Sequence, residues 1–398
     1  MKRLSHYKEF VSESEISRIY RKGTELSKYH ILHINSSYYG GGIAEILRNM
    51  VPLLNEIGVE VGWRAMVGSP DFFRVCKRFH NSLLGEGIDL TEMKKKVYEG
   101  TNEDFSRFTH VDHDLVIVHN HQPLPLIRFL QKRQPWIWRC HEDLSTPNQE
   151  VLDYLKSFII PFDKCVFQTG KCIFSDFQKE CSFVNPTIDP LSTKNEYLDD
   201  NKIKKYLNRI GIDLSRPIVS QVSEFDKHKD PIGALEVFKQ INEEMDCQFI
   251  LIGSVSRYDP EGESIYGQVR EKVKEMENVS LVLDPHDIFI NSVQSASDVV
   301  LQKSLKEGFG LAVSEALWKE TPVVGSDVGG IAMQIVDGEN GYLVDPGDYD
   351  EAAEKIMDIL SDDDLRERMG RRGKEIIKDR FLITHQIEKW LDIWREML

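Results

Sequence analysis

No stretch of this chain approaches the ~20 uninterrupted apolar residues that a membrane-spanning helix needs. The amino-terminal segment MKRLSHYKEFVSESE carries no apolar core of a signal sequence. A membrane-spanning or secreted protein is therefore not expected, and a cytoplasmic one is. Basic charge is also short: 50 Lys and Arg stand against 65 Asp and Glu, for a net charge of −15. So acidic a chain suits a nucleic acid poorly, because that affinity rests on many phosphate contacts. A small anion needs only a few aimed backbone amides and is not excluded. The six cysteines, Cys76, Cys140, Cys165, Cys172, Cys181 and Cys247, form no CxxC pair and no zinc-type spacing. They are expected to be reduced thiols acting as small buried hydrophobes. The dinucleotide fingerprint G-x-G-x-x-G is missing, and so is any nucleophilic serine or cysteine motif. Asp112-His113-Asp114 has Asp-x-Asp spacing but precedes its strand, so no metal-bridged site is expected.

What is present is a rhythm of strands and helices. The chain has 398 residues, which favours two domains. Residues 1–29 read as a helical extension. YHILHINS (29–36) is a buried parallel strand, SSYYGGG a glycine loop, and IAEILRNMVPLLNEIG (43–58) a helix whose apolar residues recur every three or four positions. VEVGWRAMVG restarts a strand. HDLVIVHN (113–120), PWIWRCHED (135–143) and KCVFQTG (164–170) read as further strands, and LPLIRFLQKR (124–133) as a helix. The rhythm resumes beyond a proline-broken stretch at 181–192, with strands at 216–226, 247–254, 278–284, 296–304, 321–330 and 340–348 and helices at 231–245 and 313–320. Two successive runs of this kind predict two doubly wound α/β domains facing a cleft, with polar residues just past each strand lining it. The boundaries are placed at 1–190 and 191–380. A final amphipathic helix, 381–398, needs a partner surface.

Two glycine-rich loops open helices. Gly40-Gly41-Gly42 follows the first strand, where a plain tight turn is as good an account as an anion site. The stronger signal is KEGFGLAVSEALWKE (306–320). Gly308 and Gly310 leave backbone amides free near a helix start, suited to a diphosphate. Glu307 and Glu315 bracket them, with seven residues between. Carboxylates beside a phosphate need a reason, and hydroxyls of a sugar or ribose supply one.

This segment resembles the E-x₇-E element of family 4 retaining glycosyltransferases with the GT-B fold. HINSSYYGGGIAEIL, FHNSLLGE, VIVHNHQP, PWIWRCHEDLS, TIDPLS, SLKEGFGL and GGIAMQIVDGENGYLV together are similar to the trehalose glycosyltransferring synthase subfamily, from about residue 30 to the C-terminus. The resemblance implies a GT-B protein with an acceptor-side first domain, a nucleotide-sugar-binding second domain, and the last helix packed back on the first. It implies transfer of glucose from an NDP-glucose to free glucose, forming trehalose with retention. It implies donor contacts from Gly41, Gly42, Lys229, Glu307, Gly308, Phe309, Gly310, Leu311 and Glu315. His141 would sit near the anomeric carbon, with Lys229 and Glu307 completing the catalytic set. Asn120, His121, Gln122, Arg139 and Asp143 would meet acceptor hydroxyls, or cap and brace the strand ends. No tightly bound cofactor or metal is implied, a divalent cation stimulating at most. The partners implied are the nucleotide-sugar donor and a small sugar acceptor, with a homodimer left open. In the loop after the first strand of the second domain, VSEFDKHKDP (222–231), Lys229 matches the family's lysine. Glu224 stands where an arginine is expected and Asp230 replaces a glycine, which weakens the case for diphosphate binding unless Lys227 or Lys306 compensates. A charged acceptor, a sugar-nucleotide binder without turnover, and an NAD-dependent oxidoreductase are the competing readings.

Overall fold

The computed structural model describes residues 2–174, 177, 179–255 and 259–398. The chain divides into two compact units, Met1–Thr187 with Ile383–Leu398, and Ile188–Leu382.

The first unit opens with a 3-10 turn and helix α1 (Glu13–Leu26), capped by Ser12 and burying Ile16, Ile19 and Leu26. Then come β1 (His30–Asn35), α2 (Gly41–Glu56), β2 (Glu60–Ala65), α3 (Pro70–Leu83), α4 (Glu92–Phe108), β3 (Leu115–His119), a single turn α5 (Leu126–Phe129), β4 (Trp136–Arg139), α6 (Gln149–Ile159), β5 (Lys164–Phe167) and β6 (Cys181–Phe183). The expected helix over 124–133 shrinks to α5, because Pro123 and Pro125 crowd its start and Leu130 is already extended. The strands form one parallel sheet in the order β2-β1-β3-β4-β5-β6. Side chains alternate across it. Leu32, Ile34, Val116, Val118, Trp136 and Trp138 face the core shared with α3, α4 and α6. His33, Ile117, His119 and Arg139 therefore share the other face.

The second unit holds α7 (Asp200–Leu207), β7 (Ile218–Val222), α8 (Pro231–Glu244), β8 (Gln248–Gly253), α9 (Pro260–Val273), β9 (Val279–Leu283), α10 (Asp287–Ala296), β10 (Val299–Gln302), α11 (Leu311–Trp318), β11 (Val323–Ser326), a short α12 (Ile331–Gln334), β12 (Gly341–Val344), α13 (Tyr349–Ser361) and α14 (Asp363–Arg380). Its parallel sheet runs β12-β11-β10-β7-β8-β9. The last helix, α15 (Ile383–Met397), belongs to the first unit and packs on α1 and α2.

Each sheet reverses its winding once, between β1 and β3 in the first unit and between β7 and β10 in the second. In open parallel sheets the loops at such a reversal splay apart and leave a crevice for ligands. All six cysteines are free thiols, and all but Cys181 are fully buried. Among the described residues no helix is long and apolar enough to cross a membrane.

Candidate functional site

In the second unit the reversal point is flanked by the loop after β7 and the loop after β10. The first carries Glu224 and Lys229, the second Lys303 to Gly310. Lys229 Nζ lies 2.5 Å from Glu307 Oε2. Ser304 donates its hydroxyl to the same carboxylate oxygen at 3.3 Å. The two loops are stitched together by Gln221, whose amide donates to the Lys229 carbonyl and accepts from the Lys303 amide, and by the Leu305 amide donating to the His228 carbonyl at 2.7 Å. Burial opposes the charge of Lys229. Glu307, with Glu224 and Asp226 behind it, outweighs that penalty and holds the ammonium above its usual range.

Asp230, expected to disturb diphosphate binding, serves the fold. Its backbone is left-handed (φ 45°), the conformation that a glycine would take without strain. Asp230 adopts it while its Oδ1 accepts from the Gly233 amide at 2.9 Å, capping α8, and its Oδ2 accepts from the Tyr349 hydroxyl.

Gly310 ends the loop and α11 begins at Leu311. Gly308, Gly310 and Leu311 are partly exposed, while Phe309 is buried against Phe381, ring centres 5.5 Å apart. Glu315 lies one helical turn deeper and is buried. Its carboxylate is engaged by Lys194 at 3.4 Å and by the Gln294 amide at 3.5 Å. The turn Gly329-Gly330 presses against this loop from below. A side chain on Gly329 would lie 1.7 Å from the Glu307 carbonyl, and one on Gly330 2.3 Å from the Phe309 Cα. Gln334 then donates to the Phe309 carbonyl at 2.6 Å. The segment GGIAMQ was visible in the sequence, but its task of shaping the Glu307–Gly310 backbone was not, because that is a tertiary contact.

In the first unit, Gly41 and Gly42 are exposed at the head of α2. Of the residues past the strand ends, Asn120 holds His141. Asn120, in a left-handed conformation (φ 58°), accepts from the His141 amide through its side chain at 2.8 Å. Its own carbonyl accepts from the Trp138 indole. Asp143 accepts from the Ser145 amide. Gln122 is half-buried, its carbonyl held by Asn102.

His121 and Arg139, expected among acceptor ligands, are turned inward. His121 is fully buried. Its Nε2 lies 3.0 Å from the Cys76 carbonyl, and its Nδ1 faces the carboxylate of Glu142 at 3.1 Å. His80 on α3 lies 2.8 Å from the same carboxylate. Burial opposes the Glu142 charge, and the two histidines reverse the effect, holding it well below the usual carboxylate range. Arg139 has no exposed surface. Its guanidinium donates to the Val184 carbonyl and makes no ion pair among the described residues, and burial pushes it down to about 10.

His141 is half-buried and ends a chain of imidazoles that sequence reasoning missed. His33 Nδ1 lies 2.8 Å from His119 Nε2, and His119 Nδ1 lies 2.9 Å from His141 Nε2. No group of three His, Cys, Asp or Glu among the described residues is disposed to hold a metal ion.

Comparison with known proteins bears on both halves. Residues 33–174 match the model of the trehalose synthase N-terminal domain, and residues 202–376 match that of the group 1 glycosyl transferases. The chain is 40% identical over 404 residues to a trehalose synthase of Thermococcus litoralis, covering 98% of this chain and 96% of that one. It is 38% identical to a trehalose synthase of Rubrobacter xylanophilus, covering 100% and 97%. Among solved structures, a sucrose-phosphate synthase from Thermosynechococcus elongatus superposes with a TM-score of 0.74 at 17% identity, over 92% of this chain and 98% of that one. That likeness shows the fold, which is GT-B.

Proposed function

The chain belongs to the trehalose synthase family of GT-B glycosyltransferases, and we propose that it transfers glucose from an NDP-glucose to free glucose, giving trehalose with retention at the donor carbon. The observation that carries this reading is the Lys229–Glu307 pair at the β7/β10 reversal, beside the partly exposed Gly308 and Gly310. A cation beside a glycine-rich helix start suits a diphosphate, and a carboxylate there suits sugar hydroxyls.

In this reading the donor's arrival splits the pair. Lys229 turns to the diphosphate and Glu307 to the glucose hydroxyls. Phe309 and Leu311 shape the floor, Glu315 reaches the ribose by exchanging Lys194 and Gln294, and Gly41 and Gly42 close on the phosphates. The bond from the anomeric carbon to the diphosphate oxygen breaks, and its electron pair leaves with the diphosphate. The acceptor's anomeric oxygen bonds to that carbon on the same face. Its proton passes to the departing phosphate oxygen, so no protein nucleophile is needed. Lys229 and the amides stabilise the growing negative charge. His141 faces the transferred sugar, and Asn120, Gln122 and Asp143 meet the acceptor. No resident cofactor enters the scheme.

The test is release of NDP from ADP-, UDP- and GDP-glucose, each with and without free glucose, with the product identified by NMR. Glucose-dependent release yielding an α,α-1,1-linked disaccharide is expected. Trehalose formed from maltose alone, or from glucose 1-phosphate but no nucleotide sugar, would replace the donor in this reading. Release only with a phosphorylated acceptor would replace the acceptor.

A further inference from the structure

A neutral imidazole has one N–H and one lone pair. When three are joined through ring nitrogens, each link needs one of each, so all three rings must point their protons the same way along the chain. A change of tautomer at any one ring would set N–H against N–H or lone pair against lone pair. Water could repair such a fault, but His33 and His119 have 0% and 2% of their surface exposed. His33 is walled in by Trp390 and Trp394 of α15, with ring centres 6.0 and 5.9 Å away. Its Nε2 has no hydrogen-bond partner among the described residues. The His119 and His141 ring centres lie 5.2 Å apart with 22° between their planes, so the rings meet edge to edge and nearly coplanar across the second link. The His141 backbone is fixed independently by Asn120. Among the described residues nothing bonds His141 Nδ1.

We propose that His33 and His119 are positioning residues that fix His141 in one neutral tautomer, with Nε2 engaged inward and Nδ1 presented to the transferred sugar. The catalytic part rests on the reading of His141 given above. Burial favours the neutral form at all three rings. The charged groups facing them are Arg139, which further disfavours a proton on His119 and His141, and Glu142, which favours one on His141. From α15 the indole rings of Trp390 and Trp394 face His33. A ring nitrogen of fixed character orients a sugar hydroxyl without reorganising during the reaction.

The test uses the full chain labelled with ¹⁵N-histidine, with His119→Phe and His119→Gln as variants. In the unaltered protein, His33, His119 and His141 should each show a single neutral tautomer from pH 5.5 to 8. In His119→Phe the His141 signals should become those of mixed tautomers, and kcat should fall about 10–100-fold, as for a misplaced catalytic group, with the donor KM little changed. His119→Gln, whose amide both gives and takes a hydrogen bond, should recover most of that loss. A role in filling space alone predicts the opposite order, with Phe the better tolerated. His33→Phe, farther from the site, covers the case in which His119→Phe does not fold, and should likewise leave His141 with mixed tautomers, while His33→Gln should leave it single. Mixed tautomers in the unaltered protein, an unchanged His141 tautomer in His119→Phe, or equal kcat for the Phe and Gln variants would overturn the proposal. His141→Ala at full activity, with the tautomer results intact, would instead remove the functional reading.

Discussion

Lys229 feels three carboxylates, Glu307, Glu224 and Asp226, and only Glu307 has an obvious use in a donor complex. Glu307 can move from the ammonium to sugar hydroxyls. Glu224 reaches Lys229 through its field and has nothing in a nucleotide sugar to accept from. It should repel the diphosphate that Lys229 attracts. Glu224→Arg is accordingly expected to lower the donor KM about 10–100-fold, the range for gaining a hydrogen bond between charged groups. Donor KM for both proteins under one set of conditions checks this, and an unchanged or higher KM would show that Glu224 does not face the diphosphate. The sequence exposed this residue because its neighbours, SEFDKHKDP, keep their spacing while its charge is reversed. It misled at Asp230, whose charge is legible while its left-handed backbone and its cap on α8 are not. The inward turn of His121 and Arg139 was hidden for a related reason. A polar residue just past a strand can turn to solvent or back into the protein, and the choice depends on Cys76, Glu142 and Val184, which are distant in sequence. His33 and His119 lie inside apolar runs, where they read as strand residues until the register between strands brings them together.

At the scale of elements, most strands were legible because their apolar runs end in polar or glycine residues. Helices were less so. α3, α4, α6, α9, α13 and α14 went unassigned, although Ser69 and Pro70 mark the start of α3 and each buries one apolar face. Their opposite faces are polar enough to blur the period in a scan. The loops show how context decides the meaning of a glycine. Gly40 (φ 73°) has nothing within 4 Å of an added Cβ, whereas Gly329 (φ 46°) would drive that atom into the Glu307 carbonyl. Gly40→Ala should cost about 1–3 kcal/mol, the strain of a backbone (φ 73°, ψ 146°) that is essentially open to glycine alone. Gly329→Ala must also displace the 307–310 backbone and should cost about 3–5 kcal/mol. NDP binding by Gly329→Ala, followed calorimetrically below its melting point, should be lost, and Gly40→Ala should lower the melting temperature by less than Gly329→Ala does. Equal stabilities would show that the 307–310 loop yields to the intrusion.

Over the whole molecule, two runs of alternating elements were enough to anticipate two doubly wound units, since a parallel sheet needs a covering helix between most strands. The strand order was not readable, because it depends on where each sheet reverses. The closing helix shows how distant parts of the chain are tied. Amphipathic spacing in α15 says that it needs a surface, and the structure supplies α1 and α2. Glu388 of α15 accepts from Arg18 at 2.8 Å and from Lys22 at 2.9 Å on α1, and Lys22 also reaches Asp392 at 2.7 Å. Hydrogen bonding from Arg18, aided by Lys22 against the opposing effect of burial, holds the Glu388 carboxyl down to about 2. A carboxyl depressed on folding contributes stability above its unfolded value, near 4.5, and loses it as pH falls through the folded one. Arg18 is substantially exposed, so solvent screens the pair and Glu388→Gln should cost about 1–2 kcal/mol at pH 7, or about 2–8 °C in the melting temperature of a unit this size. The difference from the unaltered protein should persist at pH 5 and narrow progressively between pH 4.5 and 2. Because α15 encloses His33, a variant whose last helix frays should also let that ring titrate. Melts across this range, read by near-ultraviolet circular dichroism of Trp390 and Trp394, would reveal a gap that does not change with pH if the Glu388 charge contributes nothing.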